Sequence, residues 1–214
     1  MGELASPAEY LRFVVTLTAV LDPFLAVPIF IAVTARRDGA ERLILARVVT
    51  FTVLVVLAGS ALFGEALLRW TGTGLPAFRL GGGLVLLLMA LAMLSAEAGP
   101  VRQTEAEARE LARGVYSGVV PLAVPMLAGP GAISTTIIAA QAGGALHVAV
   151  VVACIGAVCA FLWAMLRLAH AIAPRMGTTG LNIATRLLGL LLVAIAVQTM
   201  AEGLKELFPV LAGG

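Results

Sequence analysis

Residues 119–138 read VVPLAVPMLAGPGAISTTII, an apolar run interrupted by Pro121, Pro125, Gly129, Pro130 and Gly131. A run of this length suits a membrane span, but its interruptions belong to a helix that stops and restarts. Proline removes a backbone donor and clashes with the preceding turn, and the residue before it avoids the α region. Lipid tolerates such a break only where protein or a water-filled cavity surrounds it. A second interrupted run stands at residues 21–30, LDPFLAVPIF, with Asp22, Pro23 and Pro28. Shifting the chain by half of its 214 residues lays Pro23 on Pro130, and Arg79, Leu80, Gly82, Leu84 and Met93 on Arg186, Leu187, Gly189, Leu191 and Met200. The stretches GLPAFR and GLNIATR before those arginines also match, with one inserted residue.

Composition sets the frame for these landmarks. The chain is 61% hydrophobic and 12% charged, against roughly 25% charged in an ordinary soluble domain, so lipid must be part of its solvent. The formal charge of +2 is not gathered into a basic run, which leaves nothing for nucleic acid to recognise. Six apolar segments can be drawn, at Leu11 to Ala35, Leu43 to Leu68, Leu75 to Ser95, Gly114 to Ala140, Ala145 to Ala171 and Ala184 to Ala201. Each is long enough to cross a hydrocarbon core as a helix, and the alternation of a barrel strand is absent. Glu3 and Glu9 precede the first segment and no basic residue appears before Arg12, so it is expected to remain in the mature protein rather than act as a signal peptide. Cys154 and Cys159, five apart, point to different faces of one helix and are expected to be small buried side chains.

Three spans per repeat is an odd number, so the second copy must enter the membrane upside down, an architecture shared by many secondary transporters. The expected fold is an all-α integral membrane protein of six transmembrane helices, arranged as two inverted three-helix repeats with helices 1 and 4 broken by Pro and Gly near the midplane. It forms one transmembrane domain over 1–214, with the first repeat at 1–95, a cytoplasmic connection at 96–113 and the second repeat at 114–214. Arg36, Arg37, Arg42 and Arg47, with Arg102, Arg109, Arg113, Arg167, Arg175 and Arg186, flank one side. Only Arg12, Arg69, Arg79 and Lys205 flank the other, which places both termini outside.

The breaks suggest a site. Asp22 and Gly129 precede Pro23 and Pro130 as caps, so each begins a second half-helix. In antiparallel repeats both N-termini face one central volume, made electropositive by the backbone. The Asp22 carboxylate occupies one end, and the N–H groups of Gly131, Ala132 and Ile133 remain at the other to receive an anion. A zwitterion fits both ends, with Ser134, Thr135 or Gln198 adding side-chain hydrogen bonds. Asp22 is the only acid near the centre of a span, where a charge costs about 2.5 to 3.5 kcal/mol on insertion scales. It either caps its half-helix, or contacts substrate, proton or cation, or does both. Arg79 and Arg186 are expected to anchor their helices by snorkelling, and glycines 81 to 83 to form a close-packing surface. His147 and His170 lie at span ends without partners at metal-ligand spacing. No cofactor is called for, and the residues of an intramembrane protease or serine enzyme are not found in the spans, so an enzyme is not expected.

LDPFLAVPIF, AFRLGGGLVLLLMALAML, VVPLAVPMLAGPGAISTTI and RLLGLLLVAIAVQTMAEG together resemble the MarC family of six-span inner-membrane proteins over nearly the whole chain. The PLAVPMLAGPGAI stretch is the most specific part. The resemblance implies a transporter in the bacterial inner membrane, since some members carry small neutral amino acids such as glycine and alanine. Where the family continues its Asp and Pro with a Gly and a polar residue, this chain has Leu25 and Ala26, a tighter and less polar break. Coupling to H⁺ or Na⁺ and a homo-oligomer formed through the glycine faces stay open, as does a channel-like or lipid-interacting protein without coupled transport.

Overall fold

The computed structural model describes residues 5–35, 37–95, 127–208 and 210. Seven helices run through them and no strand occurs among the described residues: α1 (Pro7–Leu21), α2 (Pro23–Thr34), α3 (Gly39–Thr71), α4 (Leu75–Ser95), α5 (Pro130–Ala140), α6 (Ala145–Arg167) and α7 (Ala169–Leu207). Five stretches among the described residues are long and apolar enough to cross a bilayer, with Pro7–Thr34 counted as one and α3, α4, α6 and α7 as the others. The expected connection at 96–113 and the first part of the fourth expected span, 114–126, lie outside the described residues.

Local chemistry sets the helix ends beyond the apolar runs. Ser6 opens α1 with a capping box, accepting from the Glu9 N–H while its own N–H donates to the Glu9 carboxylate at 3.1 Å, and Pro7 sits at the first helical position. Asp38 caps α3 through the Glu41 N–H at 2.7 Å, and Gly72 closes it at φ 69°. Helix α3 therefore starts before Leu43 and ends after Leu68, because its caps are polar residues that an apolar run does not include. The fifth expected span ends early, at Arg167, where Leu168 leaves helical geometry. Helix α7 likewise begins well before Ala184, and Pro174 with Gly177 at φ 64° kinks its first turns.

Side-chain hydroxyls in these helices mostly close on the carbonyl four residues back, as Thr16, Thr18, Thr34, Thr50 and Ser60 do. This keeps a polar atom satisfied where water is absent. The first stretch is the most enclosed, with 56% of its apolar window buried against 22–33% for the others. Around it, α3, α4, α6 and α7 turn outward Phe51, Val55, Phe63, Leu84, Leu88, Phe161, Leu187 and Val197. A surface of that kind is stable against lipid tails and not against water.

Candidate functional site

Between α1 and α2 the chain leaves helical geometry at one residue. Asp22 stands at φ 45°, ψ 71°, the only non-glycine residue with positive φ among the described residues. Its N–H still donates to the Thr18 carbonyl at 3.1 Å, so it closes α1, while its Oδ1 accepts from the Leu25 N–H at 3.3 Å, so it also opens α2. Asp and Asn occupy the left-handed region more readily than other residues carrying a Cβ, which accounts for an acid at this joint rather than Glu or Ser. The side chain is 1% exposed. Thr185 of α7 donates its hydroxyl to the same Oδ1 at 3.2 Å. Pro23, also buried, supplies no N–H, so it cannot make the bond to the Ala19 carbonyl that would carry α1 on as one unbroken helix.

The opposite polarity is found at the start of α5. Gly129 takes extended geometry with no side-chain cap, and Pro130, exposed, is the first helical residue. Ile133 donates its N–H to the Gly129 carbonyl at 3.1 Å. The three N–H groups expected to receive an anion therefore shrink to two, on Gly131 and Ala132, both buried, because the first turn of the helix closes one residue earlier than expected. Ser134 and Thr135 donate their hydroxyls to the carbonyls of Pro130 and Gly131 at 2.7 and 2.8 Å. Toward a ligand they retain only acceptor lone pairs, which suit an ammonium and not a carboxylate.

Small residues hold α5 in place. A Cβ on Gly131 would collide with the Met89 sulfur and stand 3.2 Å from Leu86 Cδ2, so glycine lets α4 come this close. Gly82 meets Ser134 in the same way, and Gly83 faces Met200 across the α4–α7 contact, whereas Gly81 faces open space.

Gln198 lies apart from this group. Its side chain is exposed and its Nε2 donates to Glu202 Oε1 at 3.1 Å, one turn along α7. Three other residues have partners that the sequence did not announce. His147 is 4% exposed, with Nε2 2.8 Å from the Ala139 carbonyl and Nδ1 2.7 Å from the Tyr10 hydroxyl. A carbonyl only accepts, so Nε2 carries the proton and Tyr10 donates to Nδ1, tying α1 to α5 and α6. Arg79 does not simply snorkel but pairs with Glu206 from the end of α7. Thr185 carried a readable signal in hindsight: a hydroxyl in an apolar span must find an acceptor.

A helical chain with several apolar spans, a lipid-compatible belt and a buried acid at a helix joint is an integral, multi-pass membrane protein. The chain belongs to the MarC family: the family model described as MarC family integral membrane protein matches residues 8–208. It is 32% identical over 204 residues to the UPF0056 membrane protein YhcE of Escherichia coli, covering 94% of each chain. It is 33% identical over 199 residues to YvbG of Bacillus subtilis, covering 92% and 94%. A UPF0056 membrane protein of Methanocaldococcus jannaschii is 35% identical over 189 residues, covering 87% and 91%. No solved structure matches the chain.

Proposed function

We propose that this protein is a secondary transporter of small neutral amino acids of the glycine and alanine class, working by alternating access in the bacterial inner membrane with both termini outside. The observation that carries the reading is the buried Asp22 carboxylate at a helix joint. An acid in that position attracts an ammonium group or a coupling ion, H⁺ or Na⁺. The Gly131 and Ala132 N–H groups at the start of α5 provide the complementary site for a carboxylate, and the lone pairs of Ser134 and Thr135 add acceptors.

An inverted repeat is the architecture on which such a site works, and the packing supports it. Helix α2 rests on α7 as α5 rests on α4. Across the α4–α7 contact, a Cβ on Gly83 would stand 2.5 Å from Met200, and one on Gly189 2.8 Å from Met93. Met93 and Met200 are the residues that the half-length shift superimposes, so the two contacts are near-images of each other. Repeats related in this way can rock about a fixed site.

Counterflow tests the proposal. Proteoliposomes loaded with unlabelled alanine should take up labelled alanine or glycine transiently and saturably, and an imposed pH or Na⁺ gradient should bias the flux if an ion is coupled. Well-folded protein that exchanges neither substrate sinks the reading, and conductance without saturation turns it toward the channel-like alternative.

A further inference from the structure

A second cluster of charged residues lies away from the helix joint, in a cavity whose lining is otherwise mostly apolar. The cavity, of about 220 Å³, opens on the face that carries the start of α1 and the end of α7, and runs inward to Leu86 and Thr135. On α5 it is lined by Thr135, Ile138, Ala139 and Ala142, and the Thr135 hydroxyl donates to the Gly131 carbonyl one turn back. Pockets for drug-sized ligands are larger, about 300 Å³ or more, so this one suits a smaller molecule. Glu9, Arg12, Arg79 and Glu202 line it, two cations and two anions.

The four charges differ in what already holds them. Arg79 is paired with Glu206 through Nη1, although its buried Nε has no partner among the described residues, and Glu9 accepts the Ser6 N–H in the capping box. Glu202 receives only the neutral amide of Gln198. The Arg12 side chain makes no hydrogen bond or ion pair among the described residues. A lipid tail would suit Phe13, Leu86, Ile138, Val151 and Ile195 but would leave the four charges unanswered, and a simple anion or cation would answer only one sign of them. A molecule carrying both charges satisfies the set.

We infer that this cavity is a vestibule subsite for a small zwitterion, with the carboxylate at Arg12 and the ammonium at Glu202, on the path to Thr135. The inference rests on the transporter reading for its direction of traffic, but binding in the cavity can be measured without transport. Neutral formal charge at the mouth also explains how such a site admits zwitterions ahead of net-charged solutes: each partner group is offered at once, and a ligand with only one leaves a charge uncompensated.

The test uses the full chain in oriented vesicles, with Cys154 and Cys159 replaced by alanine and a single cysteine placed at Thr199, which lines the cavity. Leu88→Cys on the lipid face serves as the control. A membrane-impermeant thiol reagent should label Thr199→Cys from one side only and leave Leu88→Cys unlabelled. Glycine at about ten times its dissociation constant should slow that labelling about tenfold, while acetate and methylammonium, each with a single charge, should not. Adding Arg12→Gln should weaken protection by about tenfold or more, as the loss of a charge-assisted bond requires, without changing labelling in the absence of glycine. No labelling from either side, or labelling that glycine leaves unchanged, overturns the vestibule. Saturable counterflow without protection removes the vestibule and keeps the transporter; protection without counterflow keeps the binding site and removes the transporter.

Discussion

Replacing Asp22 separates its two roles, because the backbone at this position and the carboxylate can be changed independently. Asp22→Ala removes the acceptor for the Leu25 N–H, which costs about 1 kcal/mol as the loss of a cap. It also forces an alanine to φ 45°, about 1 kcal/mol more, and strands the buried Thr185 hydroxyl, about 1 kcal/mol again. Together these come to about 3 kcal/mol. Asp22→Gly strands Thr185 equally, but glycine caps almost as well as Asp and adopts positive φ freely, so it should cost only about 1 kcal/mol. Asp22→Asn keeps the backbone preference and an oxygen acceptor and should lie within about 1 kcal/mol of wild type.

The assay is unfolding in mixed micelles followed by circular dichroism, with counterflow measured on the same preparations. The stability order should be Asn above Gly above Ala, with Gly and Ala separated by about 2 kcal/mol, a factor of about 30 in the unfolding equilibrium. Equal stability for Gly and Ala would refute the left-handed joint, since those variants lack the carboxylate alike and the difference expected between them comes wholly from capping and tolerance of positive φ, both of which the joint demands. Given that order, exchange lost in the well-folded Asn variant assigns the charge a part in transport, and exchange retained reduces Asp22 to a cap.

Gly131→Val should abolish glycine binding and also lower stability, because its side chain drives into Met89 and Leu86; retained binding would remove the anion site at α5. Gly203→Ala places a Cβ 2.7 Å from the Pro76 carbonyl and 2.9 Å from the Leu80 N–H, backbone atoms that cannot swing aside, and should cost about 1 to 3 kcal/mol in detergent unfolding. Gly81→Ala, facing open space in the same helix pair, should instead gain up to about 1 kcal/mol. Tyr10→Phe leaves His147 Nδ1 without its donor and should cost about 1 kcal/mol, seen as a lowered unfolding midpoint. A periplasm-specific reporter fused after Gly214 should be active, and a cytoplasmic signal there would overturn the orientation drawn from the arginines.

The helical, multi-span character was legible because apolar run length is a one-dimensional property that lipid reads directly. Helix limits were less legible: Asp38 and Gly72 extend α3 through dihedral and capping chemistry that a hydropathy window does not register. At the joint, the residue types Asp-Pro were informative, but the partner was not, since Thr185 reaches Asp22 from the far end of the chain. Arg79 and His147 show the same limit. Each looked like an end-of-span residue with nothing near it in sequence, and each is held by a group from a distant helix, Glu206 or Tyr10. Gln198 failed in the opposite sense, because a polar residue in the last span has two faces available and the 3.6-residue period places Thr199, not Gln198, on the inner one.

Hydrogen-bond direction connects the joint, α5 and the cavity. In an apolar span a hydroxyl that donates to its own helix is satisfied as a donor and still open as an acceptor, and Ser134 and Thr135 are both in that state. Two hydroxyls depart from this pattern: Thr136 Oγ1 is buried with no partner among the described residues, and Thr185 spends its proton on Asp22 instead of on its own helix, which fixes that carboxylate oxygen. Donors toward a ligand carboxylate are then the backbone N–H groups of Gly131 and Ala132, the Thr136 hydroxyl and, at the mouth, Arg12 and the Arg79 Nε, and acceptors toward an ammonium come from hydroxyl lone pairs and acids. In the proposed vestibule a zwitterion would have Arg12 for its carboxylate, and Glu202 with the Thr135 lone pairs for its ammonium. Meeting both charges at once avoids leaving one of them buried alone, the costliest state available to it inside a membrane.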